Sequence, residues 1–159
     1  MDFKKQGIKT CVVACIIDDQ NRVLLTRRCI EPFCSQWVMP GGKIDKGESI
    51  LEALHREVCE EVGIEIHAEK LIDVFEHIGI GKSDDHYVIL YYRCTPAGGD
   101  LIPNGSECTE AIWVRHNELS GMELPPGCRH ILGMVYPDLE WDIELRQEDD
   151  IAAELPGPH

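Results

Sequence analysis

Three glutamates, Glu57, Glu60 and Glu61, lie at positions i, i+3 and i+4 of a segment without glycine or proline, residues 50–62. On an α-helix this spacing places all three carboxylates on one face. Because the three carboxylates repel one another at pH 7, we expect a compensating positive charge nearby. A solvated face paired with lysine or arginine would be one explanation. A site for a hard divalent cation such as Mg²⁺ or Mn²⁺, which prefers carboxylate oxygens, is the other.

The residues on either side of this segment indicate a loop followed by a capped helix. Glycines follow a proline over residues 40–48, which predicts a loop. Ser49 is a candidate N-cap and Gly63 a candidate C′ residue, so the predicted helix covers residues 49–62. Apolar residues recur there at helical spacing and predict its core-facing side: Leu51, Leu54, Val58 and Val62.

The stretch 42–64 as a whole resembles the signature of the Nudix hydrolases. That signature is Gly, five residues, Glu, seven residues, Arg-Glu-apolar, one residue, Glu-Glu, one residue and Gly-apolar. The chain has the required residue at each position: Gly42, Glu48, Arg56, Glu57, Val58, Glu60, Glu61, Gly63 and Ile64. Nine fixed positions at fixed spacing favour the metal site over a solvated helix face.

The resemblance implies an enzyme that hydrolyses a nucleoside diphosphate linked to another moiety. It implies Mg²⁺ (or Mn²⁺) as the cofactor, which offsets phosphate charge and lowers the pKa of bound water. The implied metal ligands are the carbonyl of Gly41 and the carboxylates of Glu57, Glu60 and Glu61. Glu57 is also a candidate for the general base. Glu48 and Arg56 would form a structural ion pair that holds the loop on the helix.

In this family the base or an extra metal ligand often comes from a late loop, and residues 106–119 offer Glu107 and Glu110. We predict Glu110, with a loop carboxylate of no catalytic role as the alternative. Arg27 and Arg28 end a predicted strand, and alternation lets only one of them face the site. We predict that Arg28 contacts the substrate, with a solvated strand end as the alternative.

The remaining elements predict an α/β fold. Residues 11–17 and 22–28 are predicted strands that form a hairpin around the turn 18–21. Further strands are predicted around residues 71–76, 86–94 and 111–114, with a short extended piece at 36–39, a polar turn at 79–85 and a loop at 95–106. Residues 118–136 are predicted to be partly helical, with a break near Pro125. A mixed sheet with helices on both faces follows, which matches the Nudix α/β/α sandwich.

The length of 159 residues predicts one domain, residues 1–137, followed by an acidic C-terminal tail, residues 138–159. Strict apolar alternation over residues 139–145 is compatible with a short strand at a dimer edge, so a homodimer is one possible assembly. We expect the last residues, 148–159, to be dispensable.

The chain has 29 acidic and 15 basic residues and a net charge of −14, which argues against nucleic acid polymers and anionic membranes as partners. A small nucleotide remains compatible, because bound cations supply local positive charge. Without a signal peptide or a membrane-length apolar run, the expected location is the cytoplasm. The eight cysteines are then expected as mostly buried free thiols, with Cys29 and Cys34 in a loop.

The substrate is predicted less directly. Residues 22–28 and 40–49 resemble the MutT type of the family, and the markers expected for ADP-ribose, dinucleoside-polyphosphate and coenzyme A types are missing or incomplete. A nucleoside triphosphate cleaved to monophosphate and pyrophosphate is the first choice. An NDP-sugar, of the GDP-mannose or ADP-ribose type, is the second. A non-catalytic nucleotide sensor is the hypothesis from another class.

Overall fold

The structure is a computed structural model that describes residues 7–79 and 85–141. Its elements in chain order are β1 (Lys9–Ile16), β2 (Val23–Arg28), β3 (Trp37–Val38), β4 (Gly41–Lys43), α1 (Ile50–Val62), β5 (Ile64–Ile78), β6 (His86–Gly99), β7 (Cys108–Val114), a 3₁₀ helix (His116–Gly121) and α2 (Pro126–Val135).

The strands form two sheets. A four-stranded sheet has the order β4-β1-β6-β5, in which β1 and β6 are parallel and the other pairs antiparallel. A three-stranded antiparallel sheet has the order β3-β2-β7. The predicted hairpin of β1 and β2 is therefore wrong, since a single bridge between Ile17 and Val23 joins them. β1 already has a neighbour on each edge, so no edge is left for β2.

The two sheets together form the β layer of the fold, and helices cover both of its faces. The alternation of β1 buries Val12, Ala14 and Ile16 in a core with α1, whereas Cys15 belongs to a second core with α2. This arrangement confirms the predicted α/β/α sandwich with a mixed sheet.

Helix α1 begins and ends where its caps predict. The hydroxyl of Ser49 accepts a hydrogen bond from the backbone N–H of Glu52, and Gly63 ends the helix with φ of 77°. The buried face is rotated from the predicted one, because Leu51 is 45% exposed whereas Glu61 is only 2% exposed. One of the three carboxylates is thus part of the core-facing side, which raises the question of what stabilises it.

Two predicted loops are partly strands. Gly41–Lys43 pair with β1, and the 95–106 loop begins only after Gly99, because β5 and β6 pair continuously from Ile64–Gly99 to Ile78–His86, apart from local bulges. Most of the predicted 79–85 turn, and residues 142–159 of the predicted tail, lie outside the described residues. Leu139 and Trp141 at the start of that tail pack against the core beside α2.

All eight cysteines are free thiols, and five of them are buried. Cys29 is half-buried and Cys34 exposed in the loop after β2, and Cys59 is exposed on α1. Among the described residues, none of the helices has the length and apolar character needed to cross a membrane.

Candidate active site

Glu61 and Glu57 of α1 face the glycine strand β4. The Glu61 carboxylate accepts a hydrogen bond from the Gly41 N–H at 3.2 Å, and the Thr26 hydroxyl lies 3.5 Å from its other oxygen. Glu57 lies so close to β4 that a Cβ atom on Gly42 would meet its carboxyl group at 2.3 Å. Glycine at this position therefore allows the carboxylate to lie directly against the backbone.

The third carboxylate of the site comes from the loop before β7. Ligand oxygens of Glu57, Glu61 and Glu107 all lie within 4.8 Å of one another. Asn104 positions this loop: its Oδ1 accepts the backbone N–H of Glu107 at 2.9 Å, and its own N–H donates to the Glu61 carbonyl at 2.9 Å. Its Nδ2 also donates to the Glu107 carboxylate at 3.3 Å.

Two of the residues predicted for the site lie apart from this cluster. Glu110, preferred from the sequence, is exposed on β7 and pairs with Arg27 at 3.4 Å, because it lies directly opposite Arg27 in the strand pairing. Glu60 also lines the cavity, but its side chain is 57% exposed and pairs with Arg56 at 3.2 Å. The geometry thus favours Glu107 over Glu110 as the carboxylate from the late loop.

The electrostatics of the cluster fit a divalent cation. Burial raises the pKa of Glu61 to about 8, and burial also raises the pKa of Glu57. Three carboxylates this close cannot all be ionised without a compensating positive charge. A hard cation with oxygen ligands would supply that charge, and the residues that would hold it are Glu57, Glu61 and Glu107, beside the glycines of β4.

Arg56 is the centre of a hydrogen-bonded network around this cluster. It donates to Glu48 through Nε at 2.5 Å and Nη2 at 2.8 Å, to Glu57 at 2.9 Å and to the Lys43 carbonyl at 3.1 Å. The guanidinium group holds the pKa of Glu48 near 2. Arg56 therefore contacts Glu57 as well as its predicted partner Glu48, and links β4 to α1.

The cluster opens into a cavity of about 500 Å³. Arg28 lines this cavity, whereas Arg27 lies outside it, beside Trp37 and Glu110. The lining combines carboxylates and glycines with apolar and aromatic side chains. The apolar and aromatic lining residues include Phe33, Tyr87, Ile89, Tyr91 and Pro125, and His77 lies beside Phe33. Such a cavity suits a ligand with a charged end and a flat apolar end.

Sequence reasoning missed three features of this site. Asn104 had a local signal, since Asn-Gly at 104–105 is a turn dipeptide in which the asparagine side chain binds backbone N–H groups. Phe33 and His77 had no local signal, because the loop after β2 and the end of β5 meet only in the folded protein.

Comparison with known proteins agrees with this geometry. The family model described as the NUDIX domain matches residues 8–136. The chain is 29% identical over 152 residues to human "8-oxo-dGDP phosphatase NUDT18". The aligned region covers 96% of this chain and 45% of that relative. The chain thus spans about half the length of this relative. It is also 29% identical over 132 residues to "Nucleoside triphosphatase NudI" of Salmonella typhimurium, covering 78% of this chain and 86% of the relative.

The fold has a solved counterpart as well. A crystal structure of a MutT NUDIX hydrolase from Burkholderia pseudomallei superposes with a TM-score of 0.75 at 27% identity, over 82% of this chain and 99% of that chain.

Proposed function

The chain belongs to the Nudix hydrolase family and is therefore an enzyme acting on pyrophosphate bonds, and from this premise we propose that it hydrolyses a nucleoside triphosphate to the monophosphate and pyrophosphate with Mg²⁺ or Mn²⁺ as cofactor. The observation that carries the proposal is the cluster of Glu57, Glu61 and Glu107 beside a cavity that also has apolar and aromatic lining residues. Such a cavity suits a small nucleotide rather than a nucleic acid polymer. A cytosolic location stays a prediction from the sequence.

The residues of the chain divide the work between binding and proton transfer. Glu57, Glu61 and Glu107 would hold the cation, which when bound offsets phosphate charge and lowers the pKa of the attacking water. Arg28 would bind a phosphate oxygen, since it lines the cavity and an arginine fork suits phosphate. Arg56 and Glu48 keep β4 and α1 together, so that the carboxylates stay in place.

Proton transfer needs a carboxylate within reach of the attacking water. Glu57 and Glu107 are the two candidates that border the cavity, whereas Glu61 is buried behind them against Gly41 and Thr26. We assign to Glu107 the late-loop role that the sequence suggested for Glu110. A side chain in this role accepts the proton as the water attacks one phosphorus and the P–O bond to the leaving pyrophosphate or monophosphate breaks.

A nucleoside diphosphate, cleaved to monophosphate and phosphate, is the second candidate. The human relative is named as a diphosphate phosphatase, whereas the Salmonella relative is named as a triphosphatase. Only Arg28 and Lys43 contribute basic side chains to the described cavity lining, which also favours the less charged diphosphate.

A substrate panel with product analysis tests both candidates. The purified protein is incubated with Mg²⁺ or with EDTA and with nucleoside triphosphates, nucleoside diphosphates, GDP-mannose and ADP-ribose. The proposal requires metal-dependent release of pyrophosphate, seen as phosphate only after inorganic pyrophosphatase is added. Direct phosphate release from diphosphates with a higher kcat/KM would establish the second candidate instead. A higher kcat/KM for an NDP-sugar, or binding without turnover across the panel, would reject both.

A further inference from the structure

The sheet order separates the two ends of the cavity. Glu57 lies against Gly42 on β4, and His77 lies on β5 at the opposite edge of the sheet order β4-β1-β6-β5. Three strand spacings of about 4.8 Å separate these edges by roughly 14 Å. Because Glu57 and His77 line the same cavity, a ligand with its phosphates at the carboxylates can reach His77 with its non-phosphate end.

His77 is a polar side chain in an apolar part of the cavity. Its ring packs between Phe75, at 4.8 Å between ring centroids, and Phe33, at 5.7 Å. Within residues 7–79 and 85–141, no hydrogen bond to its imidazole is present. Desolvation lowers its pKa to about 4, so the ring is neutral at pH 7 and has one donor and one acceptor nitrogen. A half-buried imidazole without a partner is costly unless a ligand supplies one.

His130 is a histidine in the same region whose role is structural, and it serves as a comparison for His77. It also packs against Phe75, at 5.6 Å between ring centroids. Its Nε2 lies 2.8 Å from the Asp73 carboxylate, so its hydrogen bonding is satisfied, and it is exposed and does not line the cavity. His77 differs from His130 in that it lines the cavity and has no hydrogen-bond partner among the described residues, although its Nε2 lies beside Gly127 of α2.

Phe33 is held at the cavity by a loop in a costly backbone conformation. Its φ is 64°, a left-handed value that a bulky non-glycine residue rarely adopts. Arg28 Nε donates to the Pro32 carbonyl at 2.7 Å, and Arg27 Nε donates to the Ser35 carbonyl at 3.3 Å. Two arginines thus hold the backbone one residue before and two residues after Phe33, which is the kind of external support that a strained residue needs.

Resting on the proposed nucleotide substrate, we propose that Phe33 and His77 form the base-recognition end of the cavity. Phe33 packs against the face of a heteroaromatic base, and neutral His77 hydrogen-bonds to its edge. Every base has an apolar face, so Phe33 contributes binding without selecting among bases. Bases differ in the donors and acceptors along their edges, so His77 contributes selectivity. Base preference would therefore depend on His77, and the strength of base binding on Phe33. Neither residue belongs to the Nudix signature or to the carboxylate cluster.

The test measures binding of the cleaved product, so that it does not depend on turnover. Dissociation constants of GMP, IMP, AMP, CMP and UMP are measured by calorimetry for the wild type, His77→Phe, His77→Gln, Phe33→Ala and the control His130→Phe. The ring ¹H–¹⁵N signals of His77 are followed in the same titrations.

We expect His77→Phe to weaken binding of the tightest-binding monophosphate by roughly two- to tenfold, which is the scale of one neutral hydrogen bond. The dissociation constants of the five monophosphates should also differ less from one another than in the wild type. His77→Gln, which keeps a donor and an acceptor, should restore part of the preference. Phe33→Ala should weaken all five by at least about fivefold and leave their order unchanged. His130→Phe should retain the wild-type order.

The assignment of His77 would be overturned if the ratios of dissociation constants among the five monophosphates in His77→Phe stayed within twofold of the wild-type ratios. The absence of any shift in the His77 ring signals on binding, or the absence of monophosphate binding up to millimolar concentration, would overturn it as well. Failure of the substrate panel is a separate result, since binding that discriminates among bases without any turnover would reject only the proposed reaction.

Discussion

Replacing Gly42 by alanine should separate catalysis from folding at this site. The new Cβ would lie 2.3 Å from the Glu57 carboxyl group, and ordinary contact begins at 3.4 Å. The carboxylate must therefore retreat by about 1.1 Å, the difference between these two distances. A displacement of about 1 Å in a reacting group can cost about a hundredfold in rate, or about 2.7 kcal/mol of activation free energy. The carboxylate is the end of a flexible side chain, so the fold should tolerate the change.

The assay combines nucleotide hydrolysis with thermal unfolding. We expect Gly42→Ala to lower kcat/KM by about a hundredfold with little change in Tm. Gly41→Ala is the structural counterpart, because its Cβ would lie 2.3 Å from the backbone oxygen of Val12, which cannot move without disturbing the β1–β4 pairing, so its Tm should fall. Gly121→Ala is the control, since its Cβ would meet nothing within 4 Å. Near-normal activity in Gly42→Ala would refute the assigned position of Glu57.

Three further predictions concern the carboxylates and their arginine. Glu57→Gln should lower kcat by at least about a hundredfold with Tm retained, and near-normal turnover would remove Glu57 from the site. Glu107→Gln should lower kcat by a similar factor. Glu110→Gln should keep a kcat close to that of the wild type, because an exposed ion pair contributes little. A larger loss of kcat in Glu110→Gln than in Glu107→Gln would return the late-loop role to Glu110. Arg56→Ala should lower both Tm and activity, since Glu48 and Glu57 lose a shared partner, and a purely kinetic defect would exclude the structural role.

Local sequence patterns predicted α1 and the signature residues on it. Ser49 and Gly63 cap the helix where expected, because capping depends only on the few residues around each helix end. The pairing of Glu48 with Arg56 likewise needs only the helix and the short loop before it. Composition and element order were enough to predict the α/β/α sandwich, since apolar residues recur with different periods in helices and in strands.

The pairing of strands was beyond the sequence pattern. β1 and β2 are adjacent in the chain and both strand-forming, yet they belong to different sheets. The choice depends on competition for the edges of β1, which β4 and β6 occupy from distant parts of the chain. Residue alternation says which side chains share a face, but it does not say which strand lies alongside.

The sequence by itself therefore determined the helix that carries the signature carboxylates, and the tertiary structure decided which other residues lie beside them. The nine signature residues at fixed spacing predicted a carboxylate site on α1, because their positions can be read along the chain without the fold. Only the folded chain brings Glu107 to the cluster and leaves Glu110 on the surface, because the orientation of that loop depends on the contact between Asn104 and the end of α1. The meeting of Phe33 and His77 depends in the same way on a loop and a strand edge that no local pattern connects.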